Sequence, residues 1–183
     1  TLEEDKTVFI KKGSNLNDIS DLLKQNDIIF SSKFFEIYIR LKGQDRNIFS
    51  GEYFFKKKTS LYKVTESLKK NNQIYRKFTI PECYTVAETV KVLNENPFIS
   101  GKIKTIPPEG TLYPDTYYFL RDANVNKIIK RMESRMTEKL EQVWKNNYKI
   151  LKSKKDLLIL ASLVEAEAKK SMDKYLISSV FHN

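Results

Sequence analysis

A short apolar run followed by an amphipathic helical pattern occurs three times in the first half of this sequence. The two clearest copies are residues 8–23 and 78–93, and a weaker copy is residues 55–68. In each copy the apolar residues after the turn recur at spacings of three and four, which is the period of one face of a helix. Because the interval between copies is irregular, the pattern predicts a small α+β fold and not a solenoid of equal repeats.

Hydroxyl side chains stand just before these helical patterns, where each can accept a hydrogen bond from a free N–H of the first turn. The predicted N-caps are Ser14, Ser60 and Thr85. Residues 32–41 predict a second helix, and residues 48–55 predict a strand with a bend at Gly51. The order strand, helix, helix, strand resembles a LysM-type module, a small fold that binds N-acetylglucosamine chains.

The composition is that of a globular protein. Hydrophobic residues make up 40 % and charged residues 31 % of the 183 residues, which argues against disorder and allows one or two domains with a buried core. A single cysteine, Cys83, excludes a disulfide within the chain. The longest apolar run, residues 157–164, is far shorter than the roughly 20 residues that span a bilayer. Since the sequence begins with Thr1 and lacks a signal-peptide pattern, we expect that any membrane anchor lies upstream.

The net charge of +10 favours attraction to a polyanion, such as nucleic acid, an acidic membrane face or an anionic wall polymer. An ordinary solvated surface in a lysine-rich proteome explains the same charge. No nucleic-acid-binding motif accompanies it, and the basic residues do not alternate with aromatic residues on any one element. We therefore do not expect nucleic acid as a partner.

An apolar helical pattern in the second half is interrupted by a carboxylate. Leu157, Ala161 and Val164 share one helical face, and Glu165 falls inside the same apolar arc. Burial disfavours the charged form of a carboxyl group, and a carboxylic acid that stays protonated near neutral pH can act as a general acid. The alternative is a glutamate at the edge of the core, whose head group reaches water. Glu167 is rotated by about 200° from Glu165, so the two cannot face one site. Asp115 and Asp173 remain possible second carboxylates, but a mechanism with a single acid is considered first.

The second informative stretch is residues 107–120. Its prolines and Gly110 are incompatible with a continuous helix or a central strand, so a loop is predicted. Its aromatic rings stand beside hydrogen-bonding side chains, a mixture typical of a groove that binds sugars. The alternative is a turn held together by its own aromatic residues. The predicted substrate-binding residues of this loop are Glu109, Tyr113, Asp115, Thr116 and Tyr117.

The composition changes between the two halves, and residues 101–104 look like a connection between domains. Beyond it, Asn124 can cap a long amphipathic helix that serves as scaffold. The prediction is an α+β protein with a LysM-like α+β region at residues 1–97, followed by a mainly helical domain at residues 98–183.

Three segments carry a family resemblance: EG at 109–110 with PDTY at 114–117, ASLVEAE at 161–167, and SVF at 179–181 with Asn183. In this order and spacing they resemble the endolytic murein transglycosylases of the MltG, or YceG-like, family. The first half agrees with the resemblance, which therefore spans nearly the whole chain. It implies an enzyme that is anchored in the inner (cytoplasmic) membrane, faces the peptidoglycan outside it, and cuts newly made glycan strands internally.

The resemblance also implies a role for each candidate residue. Glu165 is expected to be the catalytic acid and base, and Asn183 joins the loop residues as a substrate-binding residue. Glu165 would protonate the glycosidic oxygen between N-acetylmuramic acid and N-acetylglucosamine. It would then accept the proton of the muramoyl 6-hydroxyl, which closes on C1 as a 1,6-anhydro ring. Because the substrate supplies its own nucleophile, neither a second carboxylate nor a metal or other cofactor is expected.

The expected partners are peptidoglycan glycan strands, with peptidoglycan synthases as candidate protein partners. The chain departs from the family pattern where Cys83 replaces a glycine and where Asp173 and Lys174 replace a Glu-Arg pair. It also stops at Asn183, before the segments that complete the family's catalytic domain, so residues 98–183 are expected to be the N-terminal part of that domain. The alternative function is a non-catalytic glycan-binding module in which Glu165 is structural.

Overall fold

The computed structural model of the chain describes residues 4–44, 47–69, 72–145 and 151–167. Helices and short strands follow one another along the chain, which confirms the predicted α+β class. The strands are β1 (Lys6–Ile10), β2 (Gly51–Phe55), β3 (Tyr75–Thr79), β4 (Ile99–Ser100), β5 (Thr116–Leu120) and β6 (Ala123–Asn124). The helices are α1 (Leu16–Gln25), α2 (Ser32–Leu41), α3 (Leu61–Ser67), α4 (Val86–Glu95), α5 (Val125–Trp144) and α6 (Lys154–Glu167).

The described residues form two compact units. The first contains residues 4–76 and 118–122, and the second contains residues 77–117 and the described residues from 123 on. Helix α4 thus lies in the second unit, whereas the predicted domain boundary after residue 97 placed it in the first domain. That boundary concerns domains that fold independently, which a division into compact units does not test, so it stays a prediction.

The first unit is built on an antiparallel pair of strands. β1 and β2 pair with Lys6 opposite Phe55 and with Ile10 opposite Gly51. β2 therefore begins at Gly51, where a bend was predicted, and not at residue 48. Helix α1 packs on α2 and on β1. The order β1, α1, α2, β2 is the predicted one, and its likeness to a LysM-type module stays a prediction. The core of this unit includes Val8, Ile10, Ile19, Leu23, Phe35, Ile39, Tyr53, Phe55, Val64 and Leu68.

Two of the three predicted N-caps are confirmed. Ser60 caps α3 and Thr85 caps α4, and each side chain accepts a hydrogen bond from the N–H three residues further on. The prediction of Ser14 as the cap of α1 was wrong, because the cap is the next residue, Asn15. The Asn15 side-chain oxygen accepts from the Asp18 N–H at 2.9 Å, while the Asp18 carboxylate accepts from the Asn15 N–H at 2.9 Å. This reciprocal pair satisfies two backbone donors at once, which favours Asn15 as the cap.

The second unit is built around α5. Asn124 caps this helix, as predicted, and accepts a hydrogen bond from the Asn126 N–H at 3.0 Å. β4 and β6 form a short parallel pair next to the start of α5, and α6 packs on α5. The buried side of α5 confirms the predicted amphipathic helix and consists of Val125, Ile128, Ile129, Met132 and Met136.

The predicted loop extends over residues 107–115 only. Residues Thr116–Leu120 form β5, which pairs with β3. All the prolines of this stretch precede the strand, so none of them removes a hydrogen bond between the strands. The aromatic residues at positions 117–119 are therefore strand residues and not loop residues.

No helix in the described part of the chain is long and apolar enough to cross a membrane. The described ranges also contain no group of three or more His, Cys, Asp or Glu side chains that could hold a metal ion.

Candidate functional site

Helix α6 carries Glu165, the predicted catalytic acid. The helix begins at Lys154 and is described as far as Glu167. In its first turn the Ser153 hydroxyl oxygen accepts a hydrogen bond from the Asp156 N–H at 3.1 Å. Glu165 is partly buried and Glu167 is exposed, as expected for two residues that are about 200° apart on a helix.

The apolar face of α6 is less covered than its sequence pattern predicts. None of the described residues of α6 is buried. The helix packs on α5 and on the turn at Gly110, which cover part of its surface. The partly buried residues of α6 include Leu157, Leu158, Val164 and Glu165. Partial burial of Glu165 agrees with either interpretation of this residue, so its role stays a prediction.

Gly110 brings α6 close to the loop that precedes β5. Its φ of +77° lies in the left-handed region that glycine adopts at least cost, and an added Cβ would lie 2.5 Å from Cδ2 of Leu158. Leu158 and Glu165 are seven residues apart, which places them on nearly the same helical face and about 10 Å apart along the axis. The face of α6 that carries Glu165 is thus the face that meets the loop.

Glu109 holds the N-terminus of α4. Its two carboxylate oxygens accept from the N–H of Val86, the first residue of the helix, at 3.0 and 3.1 Å. Thr85 and Glu88 complete this helix end as a capping box. Hydrogen bonds from the backbone and then the side chain of Thr85 lower the pKa of Glu88. A carboxylate at a helix N-terminus is also favoured by the helix dipole. Glu109 therefore has an anchoring contact within the unit, and its contact with substrate stays a prediction.

Asp115 joins the start of β5 to two other elements. Its Oδ2 lies 2.6 Å from a guanidinium nitrogen of Arg135 on α5, and its Oδ1 accepts from the Thr116 N–H at 2.6 Å. Its backbone carbonyl accepts from the N–H of Ile80, just after β3, at 3.0 Å. The hydroxyl groups of Thr116 and Thr79 form a hydrogen bond of 2.8 Å. Both predicted substrate-binding residues thus have partners that fix the end of the loop.

Tyr117 is buried in the second unit, with 2 % of its surface exposed. Its ring stacks on Phe78 with the centroids 5.5 Å apart, and its hydroxyl donates to the Tyr113 carbonyl oxygen at 2.6 Å. Burial raises the pKa of Tyr117 to about 12. These contacts favour the alternative of a turn held by its own aromatic residues, since a buried ring does not offer a face to a sugar. Tyr113, by contrast, is partly exposed.

Two arginines of α5 that the sequence pattern does not single out lie beside this loop. The Arg135 guanidinium lies 5.6 Å from the centroid of the Tyr113 ring, and the Arg131 guanidinium lies 5.3 Å from that of Tyr117. Both arginines are exposed. They form a basic and aromatic surface that can bind anionic or hydroxyl-rich groups. Their spacing of four residues, next to the buried side of α5, is the signal that could have indicated them.

The structure places the predicted site residues of positions 109–117 and Glu165 on neighbouring elements of the second unit, and a shared site stays a prediction. The five predicted residues at positions 109–117 lie on the loop or at the start of β5, and Leu158 packs against that loop on the face of α6 that carries Glu165. Asn183 lies outside the described residues, as do Asp173 and Lys174.

The sequence profile of the YceG-like family matches residues 8–183, which is nearly the whole chain. This protein is a member of the YceG-like family. The membership predicted from the three short segments is thereby confirmed.

Curated YceG-like relatives carry the name endolytic murein transglycosylase. The protein of Bacillus subtilis (strain 168) is 29 % identical, and the match covers 96 % of this chain and 58 % of that protein. The protein of Streptococcus pneumoniae serotype 2 is 28 % identical, with 97 % of this chain and 40 % of that protein covered. This YceG-like chain therefore spans about half the length of the curated relatives it matches. A solved structure of a yceG-like protein from Listeria monocytogenes is 24 % identical, with 98 % of this chain and 69 % of that chain covered and a TM-score of 0.47.

Proposed function

We propose that this chain is the part of an endolytic murein transglycosylase that carries the catalytic acid. The substrate is the glycan strand of peptidoglycan, and the bond cleaved is the β-1,4 bond between N-acetylmuramic acid and N-acetylglucosamine. The observation that carries the proposal is the family match over residues 8–183. The relatives that bear this name also match 96 % or more of the chain. The site geometry supports it, because α6 presents Glu165 on its loop-facing side and Glu167 elsewhere.

In the proposed reaction Glu165 acts first as an acid and then as a base. It protonates the glycosidic oxygen as the bond from that oxygen to C1 of the muramoyl unit breaks. Its carboxylate then takes the proton of the muramoyl 6-hydroxyl, whose oxygen attacks C1. One product ends in 1,6-anhydro-N-acetylmuramic acid, and the other begins with N-acetylglucosamine that has a free 4-hydroxyl. No water is consumed, and Glu165 regains its proton.

The contacts of the loop residues divide them into two proposed roles. Glu109 and Tyr117 position the loop, because the first accepts a hydrogen bond from the N–H of Val86 at the start of α4 and the second is buried against Phe78. Tyr113 and Asp115 are partly exposed beside Arg135, and we propose that they line the substrate groove. An aromatic ring next to charged hydrogen-bonding groups suits a sugar, which has apolar faces and polar edges.

Glycan binding by the first unit is a further part of the proposal. Its support is the order β1, α1, α2, β2 with an antiparallel β1–β2 pair, as expected for a LysM-type module. The family resemblance is the basis for three further proposals: a membrane anchor, a position outside the cytoplasmic membrane, and peptidoglycan synthases as partners.

Product analysis tests the proposed activity. Purified sacculi would be incubated with the protein that contains this chain, and the released fragments would be examined by mass spectrometry. The expected products end in 1,6-anhydro-N-acetylmuramic acid. Reducing ends in their place would show hydrolysis and contradict the mechanism. Co-sedimentation with sacculi without any product would favour the non-catalytic glycan-binding module.

A further inference from the structure

Helix α2 exposes an apolar stripe on the first unit. The stripe consists of Phe30, Phe34, Ile37 and Leu41, which are exposed by 95, 63, 58 and 83 %. The last three share one face of α2, and Phe30 lies just before the N-cap Ser31. Three large apolar side chains on one exposed helical face, with a fourth just before the helix, indicate an interaction site.

The opposite face of α2 is already packed into the first unit. Phe35 and Ile39 are buried in its core. Glu36 accepts a hydrogen bond of 2.8 Å from the Ser20 hydroxyl on α1. A rotation of α2 that buried the stripe would expose these core side chains, so the stripe is held outward by the packing of the unit.

Basic side chains flank the stripe on both sides. On the helical wheel Lys33 and Arg40 lie along one edge, and Lys42 lies at the other, where its Nζ is 5.9 Å from the centroid of the Tyr38 ring. The acidic residue of α2 is Glu36, which lies about 140° from the centre of the stripe and 4.0 Å from Arg40. The stripe therefore has an apolar centre and cationic edges.

We infer that this stripe docks the first unit on the surface of an anionic lipid bilayer. Apolar residues at the centre of a helical face, with Lys and Arg at its edges, are the arrangement found in helices that lie in a membrane interface. The apolar side chains enter the boundary of head groups and acyl chains, while the three basic residues meet anionic head groups. Phe30 and Leu41 project almost fully into solvent. A fluid lipid surface can surround such projecting side chains without a preformed pocket. The inference does not depend on the proposed activity.

Flotation with vesicles tests the inference on the 183-residue chain. One set of vesicles contains phosphatidylglycerol and phosphatidylcholine, and the other contains phosphatidylcholine alone. The chain should bind the first set at least about tenfold more tightly than the second, because each basic residue near an anionic surface adds to the affinity. The triple variant Phe34→Ser, Ile37→Ser and Leu41→Ser should reduce binding to the anionic vesicles at least about tenfold. All three side chains are largely exposed, so the fold is expected to survive, and circular dichroism melting checks this.

Matched controls separate the stripe from general effects. The double variant Tyr62→Ser and Ile106→Ser removes two other exposed apolar side chains, 61 and 57 % exposed, and should change binding by less than about twofold. Lys33→Glu with Arg40→Glu should weaken binding far more than Lys57→Glu with Lys63→Glu. If the triple serine variant binds as the wild type does, the attraction comes from net charge alone and the inference is overturned. It is also overturned if the chain ignores anionic vesicles, or if it instead forms dimers in sedimentation that the triple variant abolishes.

Discussion

Asp115 and Arg135 form an ion pair, with 2.6 Å between the carboxylate and guanidinium atoms, that ties the start of β5 to α5. The same guanidinium lies beside the rings of Tyr113 and Tyr117. One arginine of a scaffold helix thus contacts an acid and a tyrosine of the loop and a tyrosine of β5. This explains how a proline-rich segment keeps a defined position in the second unit.

The ion pair should contribute modestly to stability. Asp115→Asn is expected to lower the free energy of unfolding by about 1 kcal/mol, because both side chains are partly exposed and solvent screens the pair. Arg135→Gln should cost a similar amount, and the double variant should reveal a coupling of about 0.5 to 1 kcal/mol. Urea unfolding of the four proteins measures this cycle. A coupling of zero would show that the pair does not hold the loop.

Gly110→Ala should destabilise the second unit through a clash with α6. The added Cβ would lie 2.5 Å from Leu158 at a φ of +77°, so we expect a loss of about 2 kcal/mol or more. Gly13→Ala is the control, since Gly13 has a φ of +87° and nothing within 4 Å of an added Cβ. The difference between the two variants in thermal or urea unfolding measures the clash. Equal losses would mean that α6 does not pack closely on the loop.

Glu165→Gln in the protein that contains this chain should abolish formation of anhydro products. Glutamine keeps the volume but neither gives nor takes a proton, and general acid or base catalysis is typically worth about 10² to 10⁴ in rate. The free energy of unfolding should change by less than about 2 kcal/mol, and binding to sacculi should persist. Glu167→Gln, which lies on another side of α6, should retain most of the activity. Equal losses in the two variants would remove Glu165 from its proposed role.

Cys83→Gly should stabilise the chain. Cys83 is exposed and has a φ of +66°, a left-handed conformation that costs any residue with a Cβ. Relief of this strain should outweigh the stability that glycine costs through the greater conformational entropy of the unfolded chain. The free energy of unfolding should therefore rise by about 0.5 to 1 kcal/mol. Cys83→Ala keeps the Cβ and is the control, with little change expected. A glycine variant no more stable than the alanine variant would contradict the argument.

Stability should fall as the pH rises from 10 to 12, in part through Tyr117. Its pKa is raised by burial from 10.0 to about 12. The tyrosine therefore stays neutral in the folded chain while it ionises in the unfolded chain, and its contribution is complete below pH 10 and lost as the pH approaches 12. Tyr117→Phe removes this contribution. Urea unfolding across that range should show a shallower decline for the variant, and identical declines would contradict the raised pKa.

Helix positions in this chain could be predicted closely because their signals are local. The predicted bounds of α2 and the cap of α5 at Asn124 are confirmed, since one helical face and its cap involve residues only a few positions apart. The error at Ser14 was a single position. It arose because the cap is the residue that can form a reciprocal pair of hydrogen bonds with the third residue after it. Here that pair is Asn15 and Asp18.

The site was less predictable because its contacts join distant parts of the chain. The sequence by itself determined the α+β class, the helical rotation that separates Glu165 from Glu167, and the composition of the loop. Only the tertiary structure decided that Glu109 accepts from the first N–H of α4, that Tyr117 is buried on Phe78, and that Asp115 pairs with Arg135. The sequence states the type of each side chain, but the burial and the partners of that side chain depend on which segments meet. Periodicity records which residues share a face, whereas packing alone decides what that face touches.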